Sequence, residues 1–108
     1  MSAWTVFYTA EAEQDLRSIY EYIAFSLLEP GTAEKQTVRI LEAITGLSQL
    51  PLRHRLFEKE PWHSKGLRVM PIDSFLAFYL PNEADQTIAV VRIFYGGRDI
   101  ESHLTTEE

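Results

Sequence analysis

The chain has 108 residues, the length of a single domain, and 45% of them are apolar, which is enough to build one hydrophobic core. It contains no cysteine, which excludes disulfides, thiolate metal sites and a thiol nucleophile. The net charge of −6 argues against indiscriminate phosphate binding, because such binding depends on many Lys and Arg side chains. We expect one domain over residues 1–108.

The N-terminus and the apolar runs indicate where the protein works. Residues 1–5 lack the basic region and apolar stretch of a signal peptide. No apolar run approaches the roughly 20 residues that a membrane-spanning helix needs. We therefore expect a cytoplasmic protein with no membrane partner.

The first predicted elements are a short strand and a helix. Side chains alternate between Trp4 and Thr9 with a period of two, which is typical of a strand. Thr9 is suited to cap the helix that follows, since its hydroxyl can accept a hydrogen bond from a backbone N–H of the first turn. The apolar face of this helix consists of Leu16, Ile19, Tyr20, Ile23 and Leu27.

A second helix is predicted after Pro30-Gly31, which we expect to end the first helix. Thr32 is the expected cap of the second helix, and Pro51 follows its end. Its apolar face consists of Ile40, Leu41, Ile44 and Leu47. Two amphipathic helices with a short connection predict an antiparallel hairpin, whose remaining apolar surface a sheet must cover.

The second half of the chain predicts three strands. Leu67–Ile72 is expected to be irregular, because Pro71 cannot donate to a ladder. Phe75–Leu80 is apolar on both faces, as a central strand would be. After a loop at residues 81–85, the run Thr87–Tyr95 predicts the last strand. The order β-α-α-β-β-β predicts an α+β domain in which a helical hairpin packs on one face of a mainly antiparallel four-stranded sheet.

Charge is unevenly distributed along the chain. Residues 53–68, the basic segment, hold five basic and two acidic side chains, a local charge of +3. Residues 1–52 hold three basic and seven acidic side chains (−4), and residues 69–108 hold two and seven (−5). The basic segment is either a partner-facing surface or a solvated loop. Within it, Trp62 is either an aromatic anchor for a partner or a residue folded back onto the helical hairpin.

Three motifs resemble those of one protein superfamily. They are the exit from the helical hairpin, Leu47-Ser48-Gln49-Leu50-Pro51 followed by Arg53 and Arg55; Phe78-Tyr79 before the hairpin loop; and the segment Val91-Arg92-Ile93-Phe94-Tyr95-Gly96-Gly97-Arg98-Asp99-Ile100. In their order and spacing they resemble the RelE/ParE toxins of type II toxin–antitoxin modules across nearly the whole chain, with the ParE branch (plasmid stabilisation proteins) the closer one.

The resemblance implies two possible activities. RelE-like members are ribosome-dependent endoribonucleases that cut messenger RNA. ParE-like members do no chemistry themselves, but bind DNA gyrase and turn it into a source of DNA breaks. Both are silenced by a small antitoxin whose extended tail wraps the toxin. Growth inhibition through gyrase is the expected function, and the endoribonuclease is the alternative.

The ribonuclease alternative requires a general base, a cation beside the phosphate and a general acid. The candidates are Arg68, Arg98, His63 and His103, with Glu58 or Glu60. The resemblance places Leu76 and Phe78 where this branch carries a catalytic arginine, and Leu104 where it carries a catalytic tyrosine. Whether the chain is a metal-independent enzyme or no enzyme therefore stays open.

The ParE branch requires a rigid body that presents charged and aromatic anchors, because a few Arg, Trp and Tyr residues usually dominate affinity between proteins. The predicted partner-binding residues are Arg53, Arg55, Trp62, Arg68, Arg92 and Arg98. Arg98 is favoured because a guanidinium can bind a carboxylate or phosphate through two hydrogen bonds. An ion pair with Asp99 that fixes the exit from the sheet is the alternative role.

Two features of the last strand remain open at this stage. Arg92, which alternation places on the face of Ile88, Val90 and Phe94, is either a solubility charge or part of the functional face. Gly96-Gly97 is expected to form a bulge or turn with a positive φ.

The expected partners follow from the resemblance. They are a cognate antitoxin and DNA gyrase, or the ribosome with messenger RNA in the alternative. The first and last strands offer the antitoxin an edge for strand addition. A third possibility is an inactive homologue that binds the antitoxin and poisons nothing. We expect no cofactor and no metal, since His54, His63 and His103 lack ligand spacing.

Overall fold

The computed structural model describes residues 3–97 and residue 104. The strands are β1 Thr5–Tyr8, β2 Arg68–Ile72, β3 Phe75–Asn82 and β4 Thr87–Tyr95. The helices are α1 Ala10–Glu21, α2 Pro30–Thr45 and α3 Trp62–Lys65, with a π-helical turn at Tyr22–Ser26 and a 3-10 turn at Gly46–Ser48. Within residues 3–97, every helix is too short or too polar to cross a membrane.

The strands form one sheet in the order β1-β4-β3-β2. β2 pairs antiparallel with β3 and β3 antiparallel with β4, whereas β1 runs parallel to β4. The predicted α+β architecture with a mainly antiparallel sheet is confirmed. The α1–α2 hairpin covers one side of the sheet, the helix face; we call the other side the loop face.

The helix-face core contains part of the two predicted apolar stripes, whereas Leu27 and Leu41 are exposed. Thr9 caps α1 by accepting a hydrogen bond from the Ala12 N–H at 3.2 Å, which confirms the predicted cap. The Thr9 hydroxyl also donates to the Val91 carbonyl at 3.1 Å, so the same side chain joins α1 to β4. The core between the hairpin and the sheet includes Ile40, Ile44, Leu47, Met70, Ile72, Ala77, Tyr79, Ile88, Val90 and Ile93.

The connection between the two helices differs from the prediction. The first helix passes into the π-helical turn Tyr22–Ser26, and Pro30 begins α2 instead of ending α1. The first helical position tolerates proline because its N–H would have no intrahelical partner. Glu29, not Thr32, is the N-cap residue, and it makes no side-chain cap bond. Leu28, at a left-handed φ of 58°, is 79% exposed, so the connection presents apolar surface to solvent.

A second core, absent from the prediction, covers the loop face. It consists of Phe57, Leu67, Val69, Phe78, Phe94 and Leu104. The Phe78 ring lies 5.5 Å from the Phe57 ring and 5.6 Å from the Phe94 ring, centre to centre. The Val69 N–H donates to the Arg55 carbonyl at 3.1 Å and so ties the basic segment to β2. The basic segment therefore builds part of the core as well as part of the surface.

β4 contains a β-bulge at Val91, which has no partner residue on β3. Val90 before the bulge and Ile93 after it both enter the helix-face core, and Phe94 enters the loop-face core. The prediction that Arg92 shares a face with Ile88 and Val90 is therefore wrong, because one extra residue reverses the alternation of side chains after Val90. Arg92 does lie beside Phe94, as predicted.

Gly96 and Gly97 form the predicted turn but take no positive φ. Space is the constraint instead. A Cβ atom on Gly96 would lie 3.2 Å from the Ser74 carbonyl oxygen, and one on Gly97 would lie 2.8 Å from the Tyr95 ring. The Gly96 N–H donates to that Ser74 oxygen at 2.8 Å, which closes the end of the β3–β4 ladder.

Candidate functional site

Arg68 begins β2 at the edge of the sheet, and its guanidinium is bound to backbone carbonyls. Its Nη1 donates to the His54 carbonyl at 2.7 Å and to the Leu52 carbonyl at 3.4 Å. Its Nε is buried and has no hydrogen-bond partner among the described residues. These bonds hold residues 52–54 against β2. Part of the hydrogen-bonding capacity of the guanidinium is therefore occupied by the protein's own backbone.

Two further arginines and two leucines surround this contact. Arg53 and Arg55 are exposed, and Leu50 and Leu52 are 56% and 42% exposed. We call these four residues and Arg68 the basic corner. Cationic and apolar side chains in one place suit a partner segment that carries acidic and apolar residues.

The titratable groups beside the basic corner are uncharged at neutral pH. Tyr79 is fully buried, and its hydroxyl donates to the Pro51 carbonyl at 3.1 Å. Burial raises the pKa of the Tyr79 phenol. Burial, and then the charge of Arg53, lowers the pKa of His54 from its usual 6.5. The corner's charge at pH 7 therefore comes from its arginines.

The other ribonuclease candidates among the described residues lie in or near α3. The His63 Nδ1 is 3.6 Å from the Glu60 carboxylate. Glu60 accepts hydrogen bonds from the hydroxyl and the N–H of Ser64, and these bonds lower its pKa. Glu58 is exposed. Within residues 3–97, no hydrogen bond or ion pair joins Arg68 to His63 or Glu60, so the structure leaves these groups unconnected.

Apolar side chains occupy the positions that resemble catalytic ones. Phe78 is fully buried in the loop-face core, and Leu76 packs against that core. Leu104 is 6% exposed in the same core. The three side chains therefore stabilise the fold and offer no proton-transfer group.

Some predicted site residues lie outside the described part of the chain. They are Arg98, Asp99 and His103. The catalytic or binding roles of Arg98 and His103, and the ion pair of Arg98 with Asp99, therefore stay predictions. Among the residues that are described, no three His, Asp or Glu side chains are grouped as a metal site would require.

Trp62 packs toward the loop face. It is half-buried, and its ring meets the Phe57 ring edge-on at 5.9 Å. It is thus folded back onto the loop-face core, whereas the sequence alternative placed it on the helical hairpin. Its role as a binding anchor stays a prediction, carried by the part of the ring that remains in contact with solvent.

Arg92 forms an ion pair that the sequence did not reveal. Its Nε and Nη2 donate to the two carboxylate oxygens of Asp15 at 2.8 and 2.9 Å. The two side chains are 25% and 14% exposed, and the hydrogen bond to Asp15 raises the pKa of Arg92. The guanidinium also lies 4.7 Å from the centre of the Phe94 ring. The pair joins α1 to β4 across 77 residues of sequence, a separation at which no local pattern is visible.

A groove of about 740 Å³ lies between α1, the π-helical turn and the ends of β3 and β4. Its walls are mainly apolar and include Ile19, Tyr22, Ile23, Leu27, Phe75 and Tyr95. Tyr22, Leu27 and Tyr95 are 59%, 50% and 53% exposed. We call it the apolar groove. Its size is that of a ligand-binding cleft. The sequence missed it because the helical stripe was expected to be covered by the sheet.

Comparison with known proteins identifies the family. The family model described as the ParE toxin of the type II toxin–antitoxin system parDE matches residues 6–100. No curated protein sequence matches the chain.

Two solved structures share the fold. One is a chain of the chromosomal ParDE toxin–antitoxin system from P. aeruginosa, with a TM-score of 0.72 and 24% identity over 86% of this chain and 96% of that one. The other is a chain of the toxin–antitoxin complex RelBE2 from Mycobacterium tuberculosis, with a TM-score of 0.63 and 19% identity over 86% and 98%. The sheet, the helical hairpin and a family match over nearly the whole chain agree, and the protein belongs to the ParE family of toxins from type II toxin–antitoxin systems.

Proposed function

We propose that this protein inhibits growth by binding DNA gyrase and that a cognate antitoxin neutralises it. The family match supports the toxin role and the ParE branch of the superfamily. A binding mechanism requires a rigid surface with a few well-placed anchors, not a set of proton-transfer groups.

The observation that carries the gyrase proposal is that the Arg68 guanidinium is hydrogen-bonded within the protein. A metal-free ribonuclease needs a cation aimed at the phosphate. The Arg68 guanidinium instead donates to two carbonyls of its own chain. With Leu76 and Phe78 directed into a core, the described residues favour a surface that binds over one that transfers protons.

The antitoxin partner is supported by the solved relatives, both of which are described as parts of toxin–antitoxin systems. The basic corner adds a physical reason. The exposed Arg53 and Arg55, beside the exposed Leu50 and Leu52, fit a segment with alternating acidic and apolar side chains.

A gyrase assay tests the proposal directly. Purified protein is added to DNA gyrase and plasmid, and supercoiling and covalently cleaved DNA are measured. We expect supercoiling to fall and cleaved DNA to accumulate, and the purified antitoxin to reverse both effects. Because the basic corner is proposed to contact the antitoxin, the antitoxin should reverse the effect of the double variant Arg53→Glu/Arg55→Glu less than that of the wild type. The matched control is Lys35→Glu, which reverses one charge at an exposed position of α2. The control should act like the wild type.

Ribosomes programmed with messenger RNA provide the counter-test. Gyrase that is unaffected, together with transcripts cut on the ribosome, would overturn the gyrase proposal in favour of the RelE-like activity. Induced expression that causes no growth arrest would indicate a homologue that only binds the antitoxin.

A further inference from the structure

The connection between α1 and α2 exposes large apolar side chains to solvent. Phe25 is 67% exposed and Leu28 is 79% exposed, the highest fraction among the large apolar residues of the described chain. The Phe25 ring meets the Tyr20 ring edge-on at 6.5 Å, and both rings line a depression between α1 and α2 that is separate from the apolar groove. Apolar surface of this kind, on a protein that otherwise buries its aromatic rings, indicates a contact with a partner.

This exposure follows from the backbone of the connection. The Leu27 N–H donates to the Tyr22 carbonyl at 3.0 Å, a bond five residues back that widens the helical turn. The wider turn rotates the residues that follow it away from the buried stripe of α1, and Leu27 is 50% exposed as a result. Leu28 then takes a left-handed φ of 58°, where leucine is strained. A strained apolar residue in solvent points to a role other than stability.

Charge around the connection has a single sign. From Ser18 to Glu34 the chain carries three glutamates and no Lys or Arg, a local charge of −3. All three carboxylates are exposed, and within residues 3–97 no ion pair neutralises any of them. Apolar side chains are thus surrounded by an acidic rim. We call the following residues the hairpin tip: Tyr20, Glu21, Phe25, Leu28 and Glu29.

The hairpin tip and the basic corner lie at opposite ends of α2. This helix begins at Pro30, directly after the tip, and ends at Thr45, shortly before Leu50 of the basic corner. Its 16 residues span about 24 Å at 1.5 Å per residue. The protein therefore presents two separate surfaces of opposite charge, and a partner segment with acidic side chains suits only the basic one.

We propose that the hairpin tip is a surface with which the toxin contacts its protein target, and that it docks on a cationic surface with apolar pockets. This inference rests on the proposed function, because the target is there an enzyme that handles DNA. Such an enzyme carries Lys and Arg side chains where it holds the phosphates of DNA. The acidic rim of the tip complements a surface of that charge, and Phe25 and Leu28 supply the apolar contacts.

Leu28→Gly separates a role in binding from a role in the fold. Glycine takes a left-handed φ without strain, so the thermal midpoint should stay close to that of the wild type. Loss of the exposed side chain should instead weaken binding to purified gyrase about tenfold, measured as the dissociation constant. Phe25→Ala should act in the same way. Phe7→Ala is the control, because Phe7 is an aromatic residue of β1 that is 47% exposed, and it should bind like the wild type.

Two charge reversals test the acidic rim. Glu21→Lys and Glu42→Lys replace exposed glutamates near the C-terminal ends of α1 and α2, where the helix dipole favours lysine. Glu21→Lys should weaken binding to gyrase about threefold or more at low salt, and Glu42→Lys should leave it unchanged. Because salt screens charges, wild-type binding should weaken between about 50 and 300 mM salt, and Glu21→Lys should show a shallower dependence.

The outcomes separate this inference from the proposed function. Gyrase that is bound and inhibited equally by the wild type, Leu28→Gly, Phe25→Ala and Glu21→Lys would overturn the inference and leave the proposed function standing. A Leu28→Gly variant with a lowered thermal midpoint that also loses the antitoxin would assign Leu28 to the fold and likewise overturn the inference. A wild-type protein that does not bind gyrase would contradict the gyrase part of the proposed function and this inference with it.

Discussion

The helix face and the loop face of the sheet are covered in different ways. On the helix face, two long helices bury regular apolar stripes and are joined to the sheet by polar contacts from Thr9, Asp15 and Arg39. On the loop face, a segment with one short helix supplies isolated aromatic and aliphatic side chains, which meet around Phe78. One sheet is thus stabilised by two helices with periodic apolar stripes on one side and by a few large side chains on the other.

The two faces also differ in the surface that each exposes at its margin. The helix face leaves apolar side chains uncovered at its end, in the apolar groove and at Leu28. The loop face buries its aromatic rings and exposes charge, as in the basic corner. Each face therefore carries a core and, at its margin, a different candidate binding surface.

The largest effect is expected in the loop-face core. Phe78→Ala should lower the free energy of unfolding by about 3–5 kcal/mol, because it removes a fully buried ring that contacts Phe57 and Phe94. Urea unfolding measures the change. Phe7→Ala is the control. Because Phe7 is 47% exposed, this substitution should lower the free energy of unfolding much less than Phe78→Ala does. A loss below about 1 kcal/mol for Phe78→Ala would mean that the loop face is not a second core.

The next effect concerns the attachment of α1 to β4. Asp15→Ala should cost about 2–3 kcal/mol, because it removes the carboxylate that binds the Arg92 guanidinium and accepts from the Ile93 N–H. Ser18→Ala, on the same helix, should cost far less. If the losses of stability from Asp15→Ala and Arg92→Ala simply add in the double variant, the two side chains are not energetically coupled. The helix face then depends on its apolar contacts alone.

The helix cap should have a smaller effect. Thr9→Ala is expected to cost about 1–2 kcal/mol, because it removes both the cap of α1 and the bond to the Val91 carbonyl. Thr9→Ser keeps the hydroxyl and should recover most of the loss. Equal thermal midpoints for the wild type and Thr9→Ala would show that packing alone sets the start of α1.

The smallest effect is a pH dependence at the edge of the helix face. Hydrogen bonds from Arg39 and Gln36 hold the pKa of Asp73 at about 2. Because the pKa is lowered by folding, the contribution to stability is present above the unfolded value of about 3.9 and is lost as the pH falls toward 2. The thermal midpoint of the wild type should therefore fall more between pH 4 and 2 than that of Asp73→Asn.

Arg39→Ala provides the control for this pH dependence. It should flatten the pH profile as Asp73→Asn does, and the double variant should add nothing further. If the thermal midpoints of both single variants depend on pH as that of the wild type does, the exposed Arg39–Asp73 ion pair contributes no measurable stability.

The features that the sequence predicted are those with local periodicity. The strands, the two helical stripes and the Thr9 cap depend on residues close in sequence, and the order of elements then limits the sheet. The Pro30 turn was misassigned because Pro-Gly is typical of a helix end, whereas Pro30 is also suited to the first position of a helix.

The features that the sequence missed depend on distant residues. The bulge at Val91 reverses the alternation on which the face of Arg92 was predicted, and nothing in the local pattern signals it. The Asp15–Arg92 pair joins residues that are 77 apart and forms only when α1 packs against β4. Trp62 contacts Phe57, whose ring is held in the core by the distant Phe78. The basic segment was recognised by its charge, but its contribution to a core was not, because Phe57 and Leu67 follow no period.

The parallel pairing of β1 with β4 has a consequence for synthesis of the toxin. β1 has no other strand partner in the described sheet, and Thr9 reaches the Val91 carbonyl across 82 residues. A nascent chain that stops before Thr87 therefore lacks the strand onto which its first strand and first helix must assemble. The folded body of the protein therefore assembles only after β4 has been synthesised, however early β1 and α1 leave the ribosome.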